Sequence, residues 1–195
     1  MRVCVLSMFL SLEIKEKRLL CMSWKRTLDR AAIIEKLFIV DALLLEVLSI
    51  GERVELIVFG SSAFSLKGFI TRHTADIDTY TIKNNRVRMI LENYDFNDRG
   101  SNIVNLCEDF EDRLERLNID LSSLDVYVLG NYDLIISKIG TNRPQDIEDI
   151  KESGLINVID FDYLEILLAT KLSTPVNEER IWNDFRYIKS LRVEK

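Results

Sequence analysis

Two aspartates one residue apart, Asp76 and Asp78, are the side chains of this chain whose type and spacing point most directly to chemistry. On a strand, residues two apart face the same way, so the carboxylates project together while Ile77 turns back into the apolar layer. Adjacent carboxylates repel, and a divalent cation between them relieves the repulsion. Oxygen-only ligands of this kind suit Mg²⁺ or Mn²⁺, which keep several waters and lean on one or two carboxylates plus the phosphates of a nucleotide. Upstream, "VFGSSAF" puts Gly60, Ser61 and Ser62 directly after an apolar run. Glycine permits a tight turn there, and hydroxyls and amides gather at a helix opening, an arrangement suited to phosphate. The two halves together point at phosphoryl chemistry, in which positioning and charge neutralisation carry most of the catalysis.

The elements that must position these residues are readable from hydrophobic spacing. Apolar residues recur at three- and four-residue steps from Leu28 to Ile50, which predicts one amphipathic helix ending near Gly51. Leu56 to Phe59 reads as a buried strand, "SSAFSLKGF" as a helix stopping at Gly68, and Ala75 to Ile82 as a second strand. Arg86 to Tyr94 and "EDFEDRLERLNI" read as helices, with Ile103 to Cys107 and Leu124 to Leu129 as further strands. Beyond Asn131 the pattern is helical: Asp133 to Gly140, Pro144 to Ser153, Asp160 to Leu172 and Asn177 to Leu191. The expected fold is α/β of the α+β kind, a small mixed sheet flanked by helices and followed by a helical C-terminal part. Residues 1–130 form the core and 131–195 complete the site, sharing one hydrophobic interior.

Composition excludes several classes. A chain of 195 residues with 30% charged residues and a net charge of -6 is one globular unit, and no general electrostatic surface for nucleic acid is expected. Cys4, Cys21 and Cys107 are odd in number and widely spaced, which argues against a disulfide framework or a zinc site and for a reducing, cytoplasmic setting. The apolar run Val3 to Leu12 is too short to span a bilayer and lacks a cleavage signature, so no membrane partner is expected. "MSWKRTLDR" from Met22 reads as an alternative start that would omit residues 1–21. His73, the only histidine, reads as a loop residue, and Trp24, Trp182, Phe161, Tyr163, Phe185 and Tyr187 read as core.

"VFGSSAF" followed by "RHTADIDTY" resembles the polymerase-beta-like nucleotidyltransferases, whose signature is a hydrophobic residue, Gly, Gly or Ser, a spacer, then Asp, hydrophobic, Asp. "DLIISKIGTNRPQDIEDI" resembles the later motif of a branch that includes uncharacterised bacterial nucleotidyltransferases and AbiEii-type toxins, and "FNDRG" with "EDFEDRLERL" is similar to the uncharacterised group. The resemblance implies that Gly60 and Ser61 form the nucleotide-phosphate turn and that Asp76 and Asp78 are metal ligands. It further implies that Lys138, Arg143 and Asp146 form a second cluster. Lys138 would meet the triphosphate as a point charge, Arg143 would contact phosphate or pair with an acid, and Asp146 would orient Lys138 or the acceptor. Many active members have a third carboxylate on a neighbouring strand, and Asp125 in "SLDVYVL" is the candidate.

The implied activity is Mg²⁺- or Mn²⁺-dependent transfer of a nucleoside monophosphate from an NTP to a hydroxyl of RNA or tRNA, a protein or a small molecule. The rival expectation is a binding module that keeps the fold without turnover, as one half of a toxin–antitoxin pair whose partner is the cognate antitoxin or toxin.

Overall fold

A computed structural model describes residues 27–80, 82–98, 104–172 and 177–192. The readings placed on residues 1–21, on Trp24 and on Ile103 lie outside the described residues. The first element is helix α1 (Arg30–Leu44), opened by the Asp29 carboxylate accepting from the Ala32 N–H and burying Ile33, Leu37, Val40 and Leu44. Strand β1 (Val54–Val58) then runs through the core into α2 (Gly60–Leu66). The short β2 (Ile77–Asp78), α3 (Asn85–Glu92) and the short β3 (Phe96–Asn97) follow. A 3₁₀ turn at Phe110–Arg113 leads through edge strand β4 (Glu115–Arg116) to β5 (Leu124–Val128). The C-terminal part is helical: α4 (Asn131–Ile136), α5 (Pro144–Ser153), α6 (Phe161–Thr170) and α7 (Glu178–Ser190).

β5 lies between β1, its parallel partner from Val54 opposite Leu124 to Val58 opposite Val128, and the antiparallel β4. On the other flank of β1, the Phe59 N–H donates to the Asp78 carbonyl and the Tyr80 N–H to the Ile57 carbonyl, so β2 runs antiparallel to the end of β1. β3 pairs with β2. This brings Asp78 beside the glycine that closes β1. Asp41 on α1 anchors the other end of the sheet, its carboxylate accepting from the N–H groups of Ser122, Ser123 and Leu124 and from the Ser123 hydroxyl. Burial works against the Asp41 charge, but those donors hold its carboxyl below the usual range.

One core joins the sheet to the C-terminal helices: Leu134, Ile135 and Ile139 are fully buried alongside Val58, Phe64 and Ile77. The expected mixed sheet with a helical C-terminal part is therefore present, with local differences. "EDFEDRLERLNI" forms one 3₁₀ turn and an edge strand instead of a helix. Arg113 is drawn inward to the fully buried Asp133, at 2.7 and 2.9 Å, and also pairs with Asp109, so tertiary ion pairing overrides the helical charge pattern. Residues 104–107 contribute only an isolated bridge between Cys107 and Leu172. The strand expected over Ala75 to Ile82 is two residues long, because only Ile77 and Asp78 pair with β3. Phe161 and Phe185 are core as expected, whereas Tyr163 and Tyr187 are exposed.

Candidate functional site

The site begins at the end of β1. Gly60 takes a φ of +61°, a backbone conformation that side-chain-bearing residues rarely adopt. A Cβ at this position would stand 2.8 Å from Asp78 Oδ2, so the turn requires glycine for its conformation and for the approach of the carboxylate. Asp78 and Asp76 are both half-buried, and Ile77 between them is fully buried, which places the expected pair at the turn with the isoleucine in the core. The segment is pinned from behind: the Asp76 carbonyl accepts from the Ser62 hydroxyl at 2.9 Å and the Thr74 hydroxyl at 3.0 Å. Asn97 on β3 donates its amide to Asp76 Oδ2 at 3.2 Å.

Burial, reinforced by the charge of Asp76, pushes the Asp78 carboxyl up to about 6, against the opposing charges of Lys138 and Arg143. Burial is thus the main reason that the Asp78 charge is disfavoured, and the neighbouring Asp76 adds to it. Among the described residues, no group of three or more His, Cys, Asp or Glu side chains gathers as a metal cage. Two crowded carboxylates fit a hard cation that completes its shell with water and phosphate oxygens, and they do not fit a cation that needs an all-protein cage.

Lys138 lies just beyond the end of α4, 4% exposed, and joins the nearby α5 to the Gly60–Ser61 turn, which is distant in sequence. Its ammonium donates to Ser61 Oγ at 2.8 Å, Asp146 Oδ1 at 2.6 Å and Asp149 Oδ2 at 2.8 Å. The other oxygen of Asp146 accepts from the Thr141 hydroxyl at 2.7 Å. Arg143 precedes α5 and is exposed. The expected residues Gly60, Ser61, Asp76, Asp78, Lys138, Arg143 and Asp146 therefore lie around one turn.

Asp125 does not join them. It stands near the start of β5, opposite Glu55, and its carboxylate is held by Arg53 at 2.7 and 3.0 Å and by Arg116 at 2.5 Å. Hydrogen bonds from Arg53 and Arg116, outweighing partial desolvation, pull its carboxyl down to about 2. The reading of Asp125 as a third carboxylate is corrected accordingly: it faces two arginines at the far end of the strand from the Gly60 turn. His73 is an exposed loop residue, as expected.

Two participants were not picked out from sequence. Asp149, fully buried, receives a fork from Arg72, with Nε to Oδ1 at 2.5 Å and Nη2 to Oδ2 at 2.6 Å. Burial opposes its charge, but Arg72 and Lys138 prevail and hold the Asp149 carboxyl below the usual range. Arg72 Nη2 also donates to Ser61 Oγ at 2.5 Å. The available signal was Asp149 three residues after Asp146, a spacing that shares one helical face.

A family model described as nucleotidyltransferase of unknown function (DUF6036) matches residues 35–195. The chain belongs to this family. The match spans the Gly60 turn, the Asp pair and the Lys138 cluster together, and it leaves the AbiEii-related branch unselected. No curated protein and no solved structure matches the chain. No helix among the described residues is long and apolar enough to cross a membrane.

Proposed function

We propose that this nucleotidyltransferase-family protein transfers a nucleoside monophosphate from an NTP to a hydroxyl, using Mg²⁺ or Mn²⁺ held by Asp76 and Asp78. The observation that carries the reading is the contact of the Asp78 carboxylate with Gly60, which sets a crowded acidic pair directly against a turn suited to phosphate. When bound, the ion would neutralise phosphate charge and acidify the attacking hydroxyl. In the transfer, the acceptor oxygen bonds to the α-phosphorus and the bond to the oxygen bridging to the β-phosphate breaks. Pyrophosphate departs with that electron pair, and the hydroxyl proton is lost to solvent.

The chain's own part is positional. Gly60 admits the Asp78 carboxylate close to the backbone, Ser62 and Thr74 hold the Asp76 backbone, and Asn97 orients the Asp76 carboxylate. The Lys138, Asp146 and Asp149 cluster fixes Ser61. The acceptor in this reading is a hydroxyl of RNA, including tRNA, of a protein or of a small molecule.

A second reading, a binding module without turnover, is favoured by one observation: Asp125 is committed to Arg53 and Arg116, leaving the pair without a third carboxylate from that strand. Incubation with each α-labelled NTP, Mg²⁺ and total cellular RNA or protein separates the two. Label appearing in an acceptor supports transfer and names the acceptor class. No label in any acceptor, whether or not NTP binds, removes transfer and supports the module.

A further inference from the structure

Lys138 has no hydrogen left to give. An ammonium offers three N–H donors, and in this structure all three are used inside the protein, on Ser61, Asp146 and Asp149. Its remaining surroundings are apolar on one side, where the Phe64 ring centroid lies 5.7 Å from Nζ. Ser61 is equally committed: its hydroxyl accepts from Lys138 and Arg72 and donates to Asp149 at 3.2 Å. To reach a phosphate, Lys138 would have to release either the Ser61 hydroxyl, which unlocks the turn, or a buried carboxylate, and stranding a buried charge is strongly unfavourable.

These contacts hold three separate pieces of chain in register. The Gly60–Ser61 turn is fixed by Lys138 and Arg72, and Arg72 is forked onto Asp149 of α5. Thr71 adds a second fastening, donating its N–H and hydroxyl to Glu152 of the same helix at 2.7 and 2.9 Å. The loop that leads to Asp76 and Asp78 is thus tied to α5 on one side and to the phosphate turn on the other. Arg143 is built differently: it is exposed, at the entrance to α5, and its guanidinium has no hydrogen-bond or ion-pair partner among the described residues. Its charge reaches Asp78. A planar fork left unpaired at the rim of an acidic pair matches the geometry of a phosphate.

We propose that Lys138 is a positioning residue that locks the Gly60–Ser61 turn through Asp146 and Asp149, and that Arg143 is the cation of this cluster that touches the triphosphate. The proposal rests on the nucleotidyl-transfer reading and departs from the expectation of a lysine on the phosphates.

The test is the preference for triphosphate over monophosphate, measured as the ratio of dissociation constants for each ribonucleoside 5′-monophosphate and its triphosphate with Mg²⁺, alongside metal-free melting. Arg143→Gln is expected to lower that preference about tenfold, the size of one lost charge-assisted contact, with unchanged melting. Lys138→Met is expected to melt lower and to weaken both nucleotides in parallel, leaving the ratio at the wild-type value. A Lys138→Met ratio that falls as far as that of Arg143→Gln overturns the positioning role, and an Arg143→Gln ratio equal to wild type overturns the phosphate role. Should Lys138→Met not fold, Asp149→Asn removes the carboxylate charge that holds the ammonium: an unchanged ratio supports positioning, and a changed ratio overturns it. Wild-type protein that binds no NTP removes the nucleotidyl-transfer reading itself, a result distinct from each of these.

Discussion

Asp78→Asn is expected to stabilise the metal-free protein at neutral pH. A carboxyl moved from its ordinary value of 3.8 up to about 6 by burial and by Asp76 is a charge that the native state accommodates poorly. The difference corresponds to about 3 kcal/mol at neutral pH. The asparagine amide brings its own desolvation and loses whatever Lys138 and Arg143 contributed, so a net gain of about 1–3 kcal/mol is expected. For a domain of this size that is a rise of about 3–10 °C in Tm. The sign follows from proton binding. Between 3.8 and about 6 the native state keeps a proton that the unfolded chain has released, so the wild type loses stability as pH rises through that window. The mutant lacks this loss, and the gap between the two melting curves should be smallest below pH 4 and complete above pH 6.5 or so. Calorimetry in chelator-treated buffer across pH 4–8 reads it directly. A mutant that melts below the wild type at pH 7.5, or a gap that does not change with pH, would show that Asp78 is a satisfied structural carboxylate and would refute the crowded-pair argument.

Three further outcomes follow from the geometry. Gly60→Ala should destabilise the protein by about 1–3 kcal/mol, from the left-handed backbone and the clash with Asp78, and should weaken NTP binding; near-wild-type melting would show that the turn relaxes easily. Asp149→Ala should cost about 3–5 kcal/mol, because Arg72 and Lys138 lose the buried carboxylate they share, and melting at pH 7 reads it. Asp125→Asn should cost no more than about 1 kcal/mol, as for a surface ion pair, and leave nucleotide affinity unchanged. Its carboxyl is depressed to about 2, so that small contribution is present above 3.8 and disappears as pH falls toward 2. Loss of Mg²⁺-dependent binding in this variant would restore Asp125 to the site.

The parts of the site that were legible in the sequence are those whose partners are encoded locally. Gly60 after an apolar strand and Asp76 with Asp78 around a buried Ile77 are patterns of a few residues, and strand and turn geometry convert them into positions. Lys138, Arg143 and Asp146 became visible only through family resemblance, since nothing local says that a lysine near the end of α4 lies beneath the Gly60–Ser61 turn. Arg72 and Asp149 were missed because their meaning arises from the tertiary return of α5 onto the loop before β2; apart, each reads as an ordinary surface charge. Asp125 shows the opposite failure. Its alternation on β5 was readable, but its height along the strand was not, and height decides whether it meets the Asp pair or Arg53. The segment at Phe110–Arg113 has a helical charge pattern, yet the buried Asp133 claims its arginine, a long-range ion pair that no window of neighbouring residues reveals.

The central claim, that Asp76 and Asp78 hold a cation for a nucleotide at the Gly60 turn, is tested most directly by titrating NTPs into the wild type and Asp76→Asn with and without Mg²⁺ in a calorimeter. Wild-type protein should bind at least one NTP with Mg²⁺ and lose that binding when the ion is chelated. Asp76→Asn, folded and no less heat-stable than the wild type, should show no Mg²⁺-dependent affinity. Equal affinity in the two proteins, or wild-type binding indifferent to Mg²⁺, would contradict the account.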